Sequence, residues 1–174
     1  QFFNANYSDT TTNVVAYTAA FGNGFSASLS LEDSVERRVS ILDPGAFGNA
    51  FNPNNAALVV QGYGGSQIPD IVGNIRVDQG WGSAQLIAAG HFLNSGFSNV
   101  EDAYGFAVGG GVTVNVPFGE STQIGIQGSY THGALSYVAQ TPIGPGVADG
   151  VVSANGDIEL VNAFSVSGGA SFSV

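Results

Sequence analysis

Asp70, Asn74, Arg76 and Asp78 fall at even positions of one short stretch, so a strand there carries all four on a single face. Glu32, His91, Gln123 and Gln127 hold the polar parity of other alternating stretches. Side chains of these types, set along extended backbone, suit the sorting of charge in water. Fixed charges on a polar wall bias which ions approach it. A local reading stands beside that one: groups two residues apart on a strand face also pair as ordinary same-face stabilisation. For Arg76 both readings stay open. Asp33, Glu36, Arg37 and Arg38 cluster where alternation gives way to a long loop, and are expected to form a charged, solvated rim.

Other chemistry finds little support. His91 and His132 are far apart in sequence and show no HExxH or comparable ligand spacing. The chain has no cysteine, hence no disulfide framework and no Cys/His zinc spacing. Gly109-Gly-Gly111 has no helix after it and does not read as a phosphate loop. Asp149, Asp157 and Glu159 are not spaced as in an EF-hand, and neither Ser83 nor Ser129 has a nearby His/Asp arrangement. No catalytic residue, metal site or cofactor is therefore expected. Arg37, Arg38 and Arg76 are the whole basic complement, against 13 acidic residues and a net charge of −10. Nucleic acid is excluded as a partner, because phosphate binding needs a basic footprint. The same balance points to a preference for cations.

The elements that must position these residues are strands. From Phe25 to Leu31 every odd position is apolar, and from Ser26 to Glu32 every even one is polar, as on a strand with one apolar and one wet face. The pattern recurs, and the expected strands are about 13–21, 25–34, 70–78, 83–93, 103–116, 122–138 and 158–174, within one segment spanning 1–174. Only 9% of residues are charged, low for a soluble domain, and no apolar run is long enough for a membrane-spanning helix. Connections at 22–24, 79–82 and 117–121 are short, and those near 35–69, 94–102 and 139–157 are long. Strict alternation of that kind matches barrels with tight periplasmic turns and long outer loops. Aromatic residues beside the short turns (Phe21, Phe25, Trp81, Phe118) and toward the long loops (Tyr104, with Tyr17, Phe92 and Tyr130) fit two lipid-interface belts. The fold class expected is all-β, an antiparallel transmembrane β-barrel wall. Glu32, Asp70, Asn74, Arg76, Asp78, His91, Gln123 and Gln127 then become pore-lining candidates, and Asp33, Glu36, Arg37 and Arg38 pore-mouth charges.

Particular stretches add a resemblance. Ala16-Tyr-Thr-Ala-Ala-Phe-Gly-Asn-Gly-Phe-Ser-Ala-Ser-Leu-Ser-Leu-Glu-Asp33, Ile68-Pro-Asp-Ile-Val-Gly-Asn-Ile-Arg-Val-Asp-Gln-Gly-Trp-Gly-Ser-Ala-Gln85, Asn115-Val-Pro117, Tyr130 through Tyr137 and Leu160-Val-Asn-Ala-Phe-Ser-Val166 resemble the general porins of alphaproteobacteria, the rhizobial and brucella-type family. The resemblance covers nearly the whole chain and is weakest in the long loops. It implies a water-filled, trimeric barrel of about 16 strands in the outer membrane of a Gram-negative bacterium, passing small hydrophilic solutes and ions by diffusion. Outer-membrane lipid and lipopolysaccharide are the implied surroundings. There are departures. Gln1-Phe-Phe-Asn4 resembles the region just after the family's inward-folded constriction loop, and Ser171-Phe-Ser-Val174 lacks the terminal aromatic of a complete barrel. Family members are roughly twice this long, and barrel strand numbers are even. An internal portion of a larger barrel is therefore expected.

Two alternatives remain at this level: a structural or adhesive outer-membrane β-barrel protein without an open channel, and a secreted soluble β-sandwich. In the sandwich, the outward rows of Val and Phe would need a partner sheet.

Overall fold

The computed structural model describes residues 12–43, 62–117, 122–138 and 147–172. Ten strands occur among them: β1 Val14–Gly22, β2 Phe25–Glu32, β3 Ile41–Leu42, β4 Asp70–Gln79, β5 Gly82–Leu93, β6 Ala103–Val116, β7 Thr122–His132, β8 Gly150–Val152, β9 Ile158–Leu160 and β10 Asn162–Ser171. Seven of them form one sheet in the order β1-β2-β4-β5-β6-β7-β10, with every pairing antiparallel. This is the all-β wall that the alternation implies. Neighbours in the sheet are neighbours in sequence apart from the loop insertions, and the sheet does not close on itself within the described residues.

Short turns set the register. Gly22, Asn23 and Gly24 all have positive φ (83°, 49° and 76°), the conformation that tight hairpins demand and that Gly and Asn tolerate. A Cβ on Gly24 would lie 1.8 Å from the Asp78 carbonyl oxygen, so the turn also leans on the neighbouring strand. The register then places Ser26, Arg76, Gln85 and Gly111 side by side across β2, β4, β5 and β6. The two faces differ sharply. Tyr17, Phe21, Leu29, Ile75, Leu86, Ile126, Phe164 and Val166 stand on one face, each more than half exposed. Burying that much apolar surface is the dominant favourable term available to the wall.

The described core lies on the opposite, polar-parity face. Val72, Ala89 and Ala107 sit there in register, and Ala134 and Tyr137 pack over them. They are covered because the long connections fold back across one end of the sheet. Three sequence-based boundaries change for this reason. The second strand ends at Glu32, not Ser34, since Ser34–Arg37 forms a 3₁₀ turn capped by Asp33, whose Oδ1 accepts from the Val35 N–H at 3.1 Å. The sixth expected strand (122–138) ends at His132. Gly133, at φ +69°, then turns the chain into a second 3₁₀ turn, Leu135–Tyr137. The last (158–174) is interrupted at Val161: β9 pairs with β8 in a separate three-stranded sheet of order β3-β8-β9, and only β10 joins the wall. No helix among the described residues is long and apolar enough to cross a membrane, which says nothing about strands.

Candidate functional site

The polar face of the wall divides into an open half near the short turns and a covered half near the long loops. In the open half, Arg76 is held on β4 between Ser26 and Gln85. Its Nε and Nη2 donate to Asp78 Oδ2 and Oδ1 at 2.7 and 2.6 Å, a two-pronged pair, and Nη1 reaches Gln85 Oε1 at 3.5 Å. The local-pairing reading of Arg76 and Asp78 is thus present in the geometry, and the pair still meets solvent. Exposed pairs of this kind contribute about 0–1 kcal/mol, so its position matters more than its stability. Asn74 lies one pair further along the same face, between Ser28 and Ile87. Gln127 pairs with Gly111 on one side and Ser167 on the other. Gln123 is exposed at the turn end, where its Nε2 donates to Asn115 Oδ1 at 3.0 Å.

In the covered half the lining candidates behave differently. Strand parity alone leads one to expect Asp70 and His91 to face water. Both are instead fully buried, at 0% and 1% exposure, because loop segments close over them. His91 Nδ1 lies 2.8 and 2.9 Å from the two carboxylate oxygens of Asp70. The Tyr137 hydroxyl donates to Asp70 Oδ2 at 2.8 Å. On the other side of the ring, His91 Nε2 is 3.2 Å from the Tyr63 hydroxyl, which itself donates to Asp149 Oδ2 at 2.7 Å. Asp149 also accepts the Val39 N–H at 2.8 Å and the Leu135 N–H at 2.7 Å. Burial nonetheless outweighs these three donors and pushes its carboxyl above the usual carboxylate range. The Tyr63 and Tyr137 phenols are raised above the usual tyrosine range, first by burial and then by the facing aspartates.

The rim charges join the same network. Arg37 does not stand in solvent: it reaches Glu32 Oε2 at 3.3 Å and lies 5.0 Å from the centre of the Tyr137 ring. Arg38 lies 4.7 Å from the centre of the Tyr63 ring and donates to the Gly65 carbonyl at 2.8 Å and to Ser34 Oγ at 3.1 Å. Both guanidinium groups thus stack on tyrosines. Asp33 is the turn cap described above, and Glu36 is exposed. Alternation could not find Tyr63, Tyr137 or Asp149, which all lie outside the wall strands. The one available signal was Ala134-Leu135, two adjacent apolar residues that break the period after His132.

Of the aromatic candidates, Phe21, Phe25 and Trp81 are exposed beside short turns and Tyr104 is exposed at the far end of β6. Phe118 lies outside the described residues. Phe92, by contrast, is covered, its ring 4.9 Å from that of Tyr104. Among the described residues, no group of three or more His, Cys, Asp or Glu could hold a metal ion. What the arrangement offers is a wall with one apolar and one polar face, a charged pair in the open half, and loops bolted over the other half. A family model described as a porin subfamily matches residues 2–172. No curated protein and no solved structure matches.

Proposed function

This chain belongs to the porin subfamily, and from that premise we propose that it builds the wall of a water-filled channel through which small hydrophilic solutes and ions diffuse passively. Porin membership itself implies the bacterial outer membrane, and points to a channel protein without catalytic activity. The single observation that carries the finer reading is the two-faced wall: apart from Val14 and Ile87, the large exposed apolar side chains of its strands share one face, while Ser, Thr, Gln, Gly and the Arg76–Asp78 pair share the other. A lipid-facing band outside and a polar lumen inside demand that division.

In this reading Phe21, Phe25, Trp81, Tyr104 and Phe118 anchor the wall at the lipid interfaces, and lipopolysaccharide surrounds its outer rim. Glu32, Asn74, Arg76, Asp78, Gln123 and Gln127 line the lumen, while Asp33, Glu36, Arg37 and Arg38 shape the mouth. Homotrimers in a Gram-negative outer membrane are the expected assembly. The net charge of −10 favours cations over anions. The covered half of the polar face favours one rival, a structural barrel whose lumen is occluded. Conductance separates the two: purified protein in planar bilayers is expected to give ohmic steps. Silence across repeated insertions would rule out the channel and leave the occluded barrel.

A further inference from the structure

We propose that Tyr137 is a specificity-determining residue of this channel, its ring narrowing the water path over the polar wall and setting the size of solute that passes. The inference rests on the channel reading above and deepens it.

The segment after β7 does not trail into solvent. Gly133 turns it inward, its N–H bonding the Val161 carbonyl at 2.8 Å. Ala134 and Leu135 are buried against the wall. The approach is so close that a Cβ on Gly105 would lie 2.4 Å from the Gly133 carbonyl oxygen, a backbone atom with no freedom to move aside. Tyr137 is then fixed from three directions. Its hydroxyl is bonded to Asp70, its ring faces the Arg37 guanidinium, and the preceding Ser136 Oγ donates to the Arg37 carbonyl at 2.6 Å. A loose side chain would swing out of a solute's way. A ring held at both its edge and its face keeps a fixed clearance.

That clearance opens on a groove of about 410 Å³ along the polar face, lined by Arg76, Gln85, Ile87, Gln127, Ser129 and Tyr137. Its floor is Gly109 and Gly111, where the wall has no side chains to fill it. The groove therefore runs from Arg76 in the open half up to the Tyr137 ring. A hydrated solute moving along this wall meets amides, a hydroxyl and one guanidinium, and then the aromatic edge. Because the ring is anchored to the wall by Asp70, Asp70 is a positioning residue here, acting through Tyr137.

The test uses the protein reconstituted in planar bilayers and in liposomes. Tyr137→Ala is expected to raise single-channel conductance and to narrow the gap in liposome swelling between a monosaccharide and a tetrasaccharide by about twofold. The chain has no cysteine, so Tyr137→Cys carries a single thiol, and attaching a bulky thiol reagent is expected to lower conductance below that of the unmodified variant. Channels of Tyr137→Ala that conduct and sieve like the parent would overturn the proposal, as would a thiol adduct without effect. If Tyr137→Ala does not fold, Tyr137→Trp replaces it: lower conductance supports the proposal, and unchanged conductance overturns it. A parent protein that gives neither steps nor swelling defeats the channel reading itself, a result distinct from any of these.

Discussion

Asp149 collects the two backbone N–H groups of Val39 and Leu135 and the Tyr63 hydroxyl at one buried carboxylate. It thereby ties the chain before β3 and the turn after β7 to the segment that carries Tyr63. An amide in its place presents one acceptor oxygen and an NH₂ that confronts a donor, so Asp149→Asn is expected to cost about 1–3 kcal/mol, read from denaturant unfolding in detergent. The pH dependence has a definite sign. The folded carboxyl sits above its ordinary value, so the stability linked to it is complete below about pH 3.9 and is lost as pH rises through the raised folded value. Its neighbours reinforce or oppose this: His91 favours the ionised form, Tyr63 donates to it, and beyond His91 stands Asp70. Hydrogen exchange at the Val39 amide, corrected for the intrinsic rate, is expected to slow on acidification within that window. Faster exchange at lower pH would show the opposite linkage. Both phenols, held above the usual tyrosine range, stay protonated donors well into alkaline solution.

At the scale of elements, the wall and the loops obey different rules. Wall strands form wherever apolar and polar residues alternate, since each face of a strand meets one environment along its length. That local rule is visible in Phe25–Glu32 from the residues alone. The loops are held by partners far away in the chain, such as the Asp149 N–H on the Ser40 carbonyl and the Ser136 hydroxyl on the Arg37 carbonyl. No periodicity encodes such pairings, so β3, β8 and the burial of Asp70 and His91 are not legible in the sequence, and the alternating pattern carries β7 six residues past His132, where the strand ends. His91 does keep the polar parity that alternation gives it; only the identity of what lies over it was hidden. Gly105 tests the docking of these loops directly. Gly105→Ala forces a methyl against the Gly133 backbone, and overpacking of this kind typically costs about 1–3 kcal/mol. Exchange protection at the Gly133 and Tyr137 amides is expected to fall while that of β5 is retained. If both are unchanged, the segment does not rest on the wall at this point.

At the scale of the whole molecule, the consequence of a two-faced sheet lies at its edges. β1 and β10 each pair on one side only, so along each of them alternate backbone N–H and C=O groups have no partner among the described strands. In water such an edge is a hazard for aggregation. In hydrocarbon it is prohibitive, because each unsatisfied group costs several kcal/mol and no water is present to relieve it. A membrane wall of this kind must therefore be continued at β1 and β10 by further strands, from the same polypeptide or from another copy, until the sheet closes. Closure has a measurable signature. In lipid bilayers the amides of β1 and β10 are expected to exchange as slowly as those of β5 and β6, which are paired on both sides. If every second amide of β1 and β10 exchanged as freely as a solvent-exposed loop, the edges would be open to water. A closed barrel would then be excluded, however well the apolar face fits lipid.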